Sequence, residues 1–127
     1  MCGITGLFSY KNNCTMDRNL SKEMVRTISH RGPDDEGFYF ADDSSVFLGH
    51  RRLSIIDLST GNQPMTNEDK TIWIVFNGEI YNFPVLREEL ILKGHTFRTN
   101  SDTEVIIHAY EEWGIEGFKR LNLIFAV

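Results

Sequence analysis

Short strand-like stretches and three amphipathic segments follow one another irregularly along this chain, and that mixture constrains the fold more than any other feature of the sequence. β-branched and aromatic residues mark predicted strands at 3–10, 37–40, 45–49 and 71–76. Helical periodicity marks predicted helices over 17–30, 83–93 and 102–113. Because the strands and helices do not alternate as regular βαβ units, we expect an α+β layered fold.

The first predicted helix has both a start signal and a stop signal. Asp17 is expected to cap its N-terminus, and Leu20, Met24 and Ile28 share one face at i, i+4 and i+8. The sequence "RGPDDEG" then ends it. This spacing predicts that Leu20, Met24 and Ile28 form the buried face.

The other two helices are marked still more clearly. Asn82 is expected to cap the second helix, which carries a proline in its first turn and ends at Gly94. The third helix opens with the capping box "SDTE", in which Ser101 is the N-cap and Glu104 reaches back to it. Its predicted apolar stripe consists of Ile106, Ala109, Tyr110 and Trp113.

Composition and charge limit the classes of function. The 127 residues suffice for one domain, and 41% hydrophobic residues can form its core. The formal net charge is -5 without a basic stripe, which argues against nucleic acid as the main partner. No apolar run is longer than "IWIVF", and only Met1 precedes Cys2, so neither a membrane span nor a secretory leader is expected. The sequence therefore predicts a cytoplasmic protein without membrane partners.

The cysteines and histidines give no metal signature. Cys2 and Cys14 are too few for a disulfide scaffold and are predicted to be free thiols. The histidines carry no Cys-x-x-Cys or His-x-x-x-His spacing and are scattered over His30, His50, His95 and His108. No metal site is predicted.

The position of Cys2 directly behind the initiator methionine suggests a nucleophile. Aminopeptidase usually removes Met1 when the next residue is small, and the thiol then belongs to the first residue of the chain. The α-amine of a terminal residue is partly unprotonated at neutral pH and can act as a base. One residue would thus supply both nucleophile and base, without a catalytic histidine.

The stretch "VFNGEIYNF" has two interpretations. Asn77 offers a side-chain amide and Gly78 a backbone N–H that a ligand can approach closely, which together could form an oxyanion hole. Asn-Gly between extended stretches is also a typical type I′ hairpin turn, which the sequence favours by roughly two to one. Both interpretations hold if the site lies at a strand end.

Charged residues in two other stretches could hold an amino-acid substrate. Arg51 and Arg52 end a predicted strand, and an arginine can bind a carboxylate through two parallel hydrogen bonds, although surface solvation is the default for either. Glu79 and Asp102 could hold an ammonium group, although Asp102 could also serve only its own helix dipole. A thiol, an oxyanion hole and clamps for a carboxylate and an ammonium describe a site for glutamine.

Five sequence blocks in this order closely resemble one family over nearly the whole chain: "MCGITGLF", "HRGPDDEG", "GHRRLSIIDLSTGNQPM", "FNGEIYN" and "SDTEVIIHAYEEWG". They are similar to the glutaminase domain of glutamine-hydrolysing asparagine synthases, a class II glutamine amidotransferase. The resemblance implies an N-terminal nucleophile hydrolase fold, an αββα layered sandwich.

The resemblance also implies roles for individual residues. Cys2 is the implied nucleophile, Asn77 and Gly78 the oxyanion hole, and Arg52 the ligand of the glutamine carboxylate. Glu79 and Asp102 are implied to hold the α-amine. The backbone implied to line the pocket belongs to Leu53, Ser54, Ile55 and Ile56.

The family further implies how the reaction is used. Ammonia would pass from L-glutamine to a synthetase domain or a second protein, where ATP and Mg²⁺ support the amidation of aspartate. Relative to the family, residues 1–127 are expected to be a glutaminase domain incomplete at its C-terminal end, with the synthetase domain absent and no cofactor in this segment. A homodimer is a candidate assembly. The alternative function is a catalytically inactive, truncated module that binds glutamine or another protein.

Overall fold

The computed structural model describes residues 2–10, 16–53 and 61–127 of the chain. Helices and strands are mixed in it, which confirms the predicted α+β class. In chain order they are β1 (Gly3–Phe8), α1 (Arg18–Thr27), β2 (Asp35–Phe40), β3 (Val46–Arg52), β4 (Met65–Thr66), β5 (Trp73–Ile74), β6 (Asn77–Ile80), α2 (Phe83–Leu92), α3 (Asp102–Trp113) and β7 (Leu123–Ala126). Two short 3-10 helices lie at Ser29–Arg31 and Gly114–Arg120. Within the described ranges, no helix is both long and apolar enough to cross a membrane.

The first three strands form an antiparallel sheet in the order β1-β3-β2. In its central strand, Gly49 lies under α1, because a Cβ atom there would come within 2.3 Å of the Val25 side chain. The helix therefore approaches the sheet closely at this point, and Val25 is fully buried. The face that Leu20, Met24 and Ile28 share is only partly buried, since Leu20 is 62% exposed while Met24 and Ile28 are half-buried. The close approach at Gly49 selects the face that carries Val25 instead.

The second half of the chain packs around α3. This helix is buried from Thr103 to Ala109. On one side it meets α2 through an apolar cluster of Leu86, Leu90, Val105 and Ala109. On another side it meets the strand pairs β4-β5 and β6-β7 through a cluster of Met65, Ile74, Phe76, Ile80, Ile106 and Ile107. The described strands thus form one three-stranded sheet and two pairs, and the predicted αββα sandwich is not confirmed.

The helix caps agree with the sequence only in part. Ser101 caps α3 by accepting a hydrogen bond from the Thr103 N–H, as predicted. Glu104 does not return to Ser101, and its carboxylate accepts hydrogen bonds from the backbone of Arg98 and Thr99 instead.

Asn82 stands at the N-cap position of α2 but makes no side-chain cap bond, so that prediction is wrong. Its side chain donates to the carbonyl of Arg120 and accepts from the N–H of Asn122, both at the approach to β7. The Asn82 amide, which would otherwise cap α2, is therefore bound to the backbone of residues 38 and 40 positions further along the chain.

The hairpin turn favoured for Asn77 and Gly78 is also wrong, because both residues lie inside β6. They pair with Ala126 and Phe125 of β7, which approach from the far end of the chain. A Cβ atom at Gly78 would lie 2.3 Å from the Ile124 carbonyl oxygen, so the close approach of β7 requires a glycine here.

Candidate active site

The Cys2 thiol lies at the start of β1, against the residue that follows β3. The Leu53 N–H donates to Cys2 Sγ at 3.4 Å, and Sγ lies 3.9 Å from the Leu53 carbonyl oxygen. Cys2 is a half-buried free thiol, in agreement with the sequence prediction. The predicted pocket residue Leu53 therefore contacts the predicted nucleophile through its backbone.

The sheet register brings the Arg52 position beside that thiol. Gly3 of β1 pairs with Arg51, and a Cβ atom at Gly3 would contact Ile28 and Arg31 on the α1 side of the sheet. The register continued by one residue sets Cys2 opposite Arg52. Because side chains alternate between the two faces of a sheet, the side chains of Cys2 and Arg52 share the face opposite to that of Gly3. The chain thus groups the predicted nucleophile and carboxylate ligand on the sheet face away from α1.

The two neighbouring arginines are held differently. Arg51 donates to the carbonyl of Gly32 at 2.7 Å and to the Glu36 carboxylate at 2.8 Å, so it holds both the segment before β2 and the start of β2. Arg52 is buried, and its Nη1 donates to Asn62 Oδ1 at 2.6 Å. These contacts assign Arg51 a structural task and favour Arg52 as the arginine of the site.

His50 is a buried neighbour of these residues to which the sequence analysis gave no role. It is only 2% exposed and shares its sheet face with Arg52, two residues along β3. Burial, followed by the positive charge of Arg52, lowers the pKa of His50 to about 4, although Asp35 and a hydrogen bond to the Phe76 backbone act in the opposite direction. The His50 imidazole is therefore neutral at pH 7, and it lies close to Arg52 and to the backbone of Phe76. The spacing of two residues from Arg52 was the sequence signal for it.

Gln63 is a second residue to which the sequence analysis gave no role, although it lies in the quoted stretch "GNQPM". Its Oε1 accepts the Phe76 N–H at 2.5 Å, and its Nε2 donates to Thr103 Oγ1 at 3.4 Å. A Cβ atom at Gly37 would lie 1.8 Å from the Gln63 carbonyl oxygen, so β2 packs directly on its backbone. Gln63 thus joins the first sheet, the residue before Asn77 and the first turn of α3.

Glu79 and Asp102 come together where β6 meets α3. Asp102 Oδ2 accepts the N–H of Ile80, the residue after Glu79, at 3.1 Å. Burial raises the pKa of Asp102, and the negative charge of Glu79 raises it further. A bound ammonium group would relieve the repulsion between these two carboxylates. This pair is therefore suited to an amine.

The remaining predicted site residues are described only in part. Asn77 is half-buried and Gly78 exposed at the start of β6, immediately after Phe76. The predicted pocket-lining residues Ser54, Ile55 and Ile56 lie outside the described residues.

Comparisons with known proteins concern the chain as a whole. A family model described as a glutamine amidotransferase domain matches residues 1–127. The chain is 48% identical over 128 residues to asparagine synthetase [glutamine-hydrolyzing] 1 of Bacillus subtilis (strain 168), covering 99% of this chain and 20% of that protein. It is 47% identical over 126 residues to asparagine synthetase [glutamine-hydrolyzing] 2 of Arabidopsis thaliana, covering 99% of this chain and 21% of that protein. A probable asparagine synthetase [glutamine-hydrolyzing] of Dictyostelium discoideum is 42% identical to the chain over 127 residues. This match covers 99% of the chain and 22% of that protein. The chain spans about a fifth of the length of these relatives.

Proposed function

The chain belongs to the glutamine amidotransferase domain family, and we propose that its Cys2 site hydrolyses L-glutamine to glutamate and ammonia through a thioester. The observation that carries this proposal is the β1-β3 register, in which Gly3 pairs with Arg51, so that its continuation by one residue sets Cys2 opposite Arg52. A thiol beside an arginine suits an amide substrate that also bears a carboxylate.

The reaction follows from the groups around the thiol. The Cys2 α-amine, once Met1 is removed, takes the thiol proton as sulfur attacks the side-chain amide carbon of glutamine. Asn77 and Gly78 stabilise the resulting oxyanion, and its collapse breaks the C–N bond while the amine returns the proton to the leaving ammonia. Water then attacks the thioester, which releases glutamate and restores the thiol. Arg52 holds the α-carboxylate during both steps, and Glu79 with Asp102 holds the α-ammonium.

The fold around the site supports a finer assignment. α1 covers one face of the first sheet, and His50 on the other face reaches the Phe76 backbone of the second half. The helix α1, the first sheet and the part of the chain that packs around α3 thus follow one another. This order is compatible with an N-terminal nucleophile hydrolase sandwich, which we propose for the domain.

The names of the relatives support a proposed use for the ammonia. We propose that it passes to a synthetase domain or protein that amidates aspartate with ATP and Mg²⁺, as part of a cytoplasmic asparagine synthase. A homodimer stays a candidate assembly. The expectation that residues 1–127 form an incomplete glutaminase domain stays a prediction.

The test is ammonia release from glutamine by the chain with Met1 removed. Cys2→Ala is expected to abolish it, because no other group forms the thioester, whereas Cys14→Ala should retain it. Mass spectrometry should detect an acyl-enzyme on Cys2 after a rapid quench. Persistent ammonia release by Cys2→Ala would contradict the mechanism. Glutamine binding without ammonia release by the parent chain would favour the inactive binding module.

A further inference from the structure

A second group of ionisable side chains lies where the turn after α2 meets α3. His95 follows the turn at Gly94, while His108 and Glu111 lie on α3, and their candidate ligand atoms all fall within 4.8 Å of one another. His108 is six residues beyond Asp102 on the same helix, on the order of 9 Å along its axis. The group is thus separate from the residues assigned to glutamine.

The three side chains converge on one carboxylate oxygen. Glu111 Oε2 lies 2.7 Å from His108 Nδ1 and 3.5 Å from His95 Nδ1. A tetrahedral ion with bonds of ~2.1 Å separates its ligands by ~3.4 Å, close to the second distance. The distance of 2.7 Å is that of a hydrogen bond. A small rotation of the His108 ring would make room for an ion between these two atoms.

Neighbouring groups fix these side chains from behind. Asn67 Nδ2 donates to the other oxygen of Glu111 at 2.8 Å, and Asn67 itself is buried. His95 Nε2 lies 3.2 Å from the Glu112 carboxylate. Carboxylates and amides that orient metal ligands in this way are a regular feature of zinc sites.

The buried imidazole of His108 has an unsatisfied nitrogen. The residue is 1% exposed, and its Nε2 makes no hydrogen bond. The nearest acceptors of that nitrogen are Glu104 Oε1 at 3.7 Å and Glu68 Oε1 at 3.9 Å. This nitrogen is directed at the carboxylates of Glu104 and Glu68, whereas Nδ1 faces Glu111, so an ion would bind His108 through Nδ1.

The cluster also has an approach for an ion. A cavity of about 330 Å³ lies beside it and is lined by Glu68, Gly94, His95, Thr96 and Glu111. Water or the Glu68 carboxylate could supply a further ligand from this cavity. The carboxylates of Glu68, Glu104 and Glu111 that face His108 favour a cation.

We propose that His95, His108 and Glu111 bind a divalent transition-metal ion of the zinc class. Two imidazoles and one carboxylate suit Zn²⁺ better than Mg²⁺ or Ca²⁺, which prefer all-oxygen sites. The sequence spacing argued against such a site because His95 and His108 are 13 positions apart, and only the packing of α2 on α3 brings them together. The ion would tie the turn after α2 to α3. The proposal is independent of glutamine hydrolysis.

The test uses the 127-residue chain with both cysteines replaced, Cys2→Ala and Cys14→Ala, so that no thiolate competes for the metal. Titration with ZnCl₂ in a calorimeter should show one ion per chain, and Co²⁺ should give the visible absorption bands of a site with nitrogen ligands. Bound Zn²⁺ should raise the Tm, because it binds the folded chain preferentially.

Variants of the ligands and a matched histidine control decide the outcome. His95→Ala removes a half-buried turn residue and should weaken Zn²⁺ binding by at least roughly 10- to 100-fold, the range seen even for outer-shell partners. Glu111→Gln should weaken it as well. His30→Ala removes an exposed histidine outside the cluster and should leave binding unchanged. The proposal is overturned if the parent binds no Zn²⁺, or if His95→Ala and Glu111→Gln bind it as tightly as the parent.

Discussion

Arg52 differs from Arg51 in the partners that hold it, and this difference can be tested at the scale of one side chain. Arg52→Lys keeps the charge but loses the planar fork that matches a carboxylate. Hydrogen bonds to charged groups contribute ~1.5–3 kcal/mol, so kcat/KM for glutamine should fall roughly 10- to 150-fold. The alkylation rate of Cys2 by iodoacetamide should stay unchanged, because that reagent has no α-carboxylate.

Arg51→Lys is the matched control. It loses contacts to Gly32 and Glu36, so it should lower the free energy of unfolding. The kcat/KM of the folded fraction should change little. If glutamine use and Cys2 alkylation fall together in Arg52→Lys, then Arg52 supports the fold. If neither falls, another residue holds the carboxylate.

His50 gives a prediction about pH and stability. Its pKa is about 4 in the folded chain and 6.5 for an ordinary histidine. Between these values the unfolded chain binds a proton that the folded chain does not, so stability is lost as pH falls from about 6.5 to about 4. Urea unfolding at pH 7 and pH 4.5 should give a loss of about 2–3 kcal/mol from this group.

The His50→Gln variant isolates the contribution of this imidazole, since its amide does not titrate in that range. The carboxylates titrate alike in both proteins, so the difference between the two pH profiles reports His50. Parallel profiles for the parent and the variant would show that His50 is not held neutral by burial.

The residues of the site show how far sequence reasoning reaches. The role of Cys2 follows from its position in the sequence and that of Arg52 from the family resemblance, and both stay predictions, although the sheet register continued by one residue sets the two opposite each other. His50 and Gln63 received no role in the sequence analysis because their contacts are not local. Their importance depends on contacts with Phe76, 26 and 13 positions further along the chain, which no local pattern encodes.

At the scale of the element, α2 offers two leucines with opposite environments. Leu90 is fully buried against α3, whereas Leu92 is 88% exposed. Leu90→Ala should lower the free energy of unfolding by about 2–5 kcal/mol, because it removes transfer energy and leaves a cavity. Leu92→Ala should change it by less than about 0.5 kcal/mol. Equal effects in chemical denaturation would mean that α2 does not pack on α3 as described.

The N-caps of α1 and α3 were more predictable than the faces and partners of the elements. Ser101 and Asp17 cap α3 and α1 as predicted, because a cap is a contact within three residues. The buried face of α1 depends instead on Gly49 of β3, and the Asn82 side chain is occupied by residues near β7. Asn77 and Gly78 fit a turn locally, but pairing with β7 holds them extended. Tertiary contacts override the local preference in each of these cases.

At the scale of the whole molecule, the proposed site is divided between two parts of the chain. Cys2 directly precedes β1 and Arg52 ends β3 in the first sheet, whereas Asn77 and Gly78 lie in β6 and Asp102 begins α3. Gln63 contacts both parts, since its backbone packs on β2 and its side chain bonds the Phe76 N–H and the Thr103 hydroxyl. We therefore expect Gln63 to position the oxyanion-hole residues relative to the thiol.

Replacement of the Gln63 side chain tests this positioning role. Gln63→Met keeps its length and volume but leaves the Phe76 N–H without an acceptor, at a cost of about 1–3 kcal/mol. We expect kcat for glutamine to fall while KM changes little, because the oxyanion hole acts in the transition state and Arg52 still holds the substrate. Gln63→Glu retains an oxygen for the Phe76 N–H and can accept from Thr103, so it should recover part of kcat. Cys2 alkylation, which needs no oxyanion hole, should proceed at the parent rate in both variants. If alkylation falls with kcat, or if Gln63→Glu is as impaired as Gln63→Met, then Gln63 only maintains the fold and does not position the site.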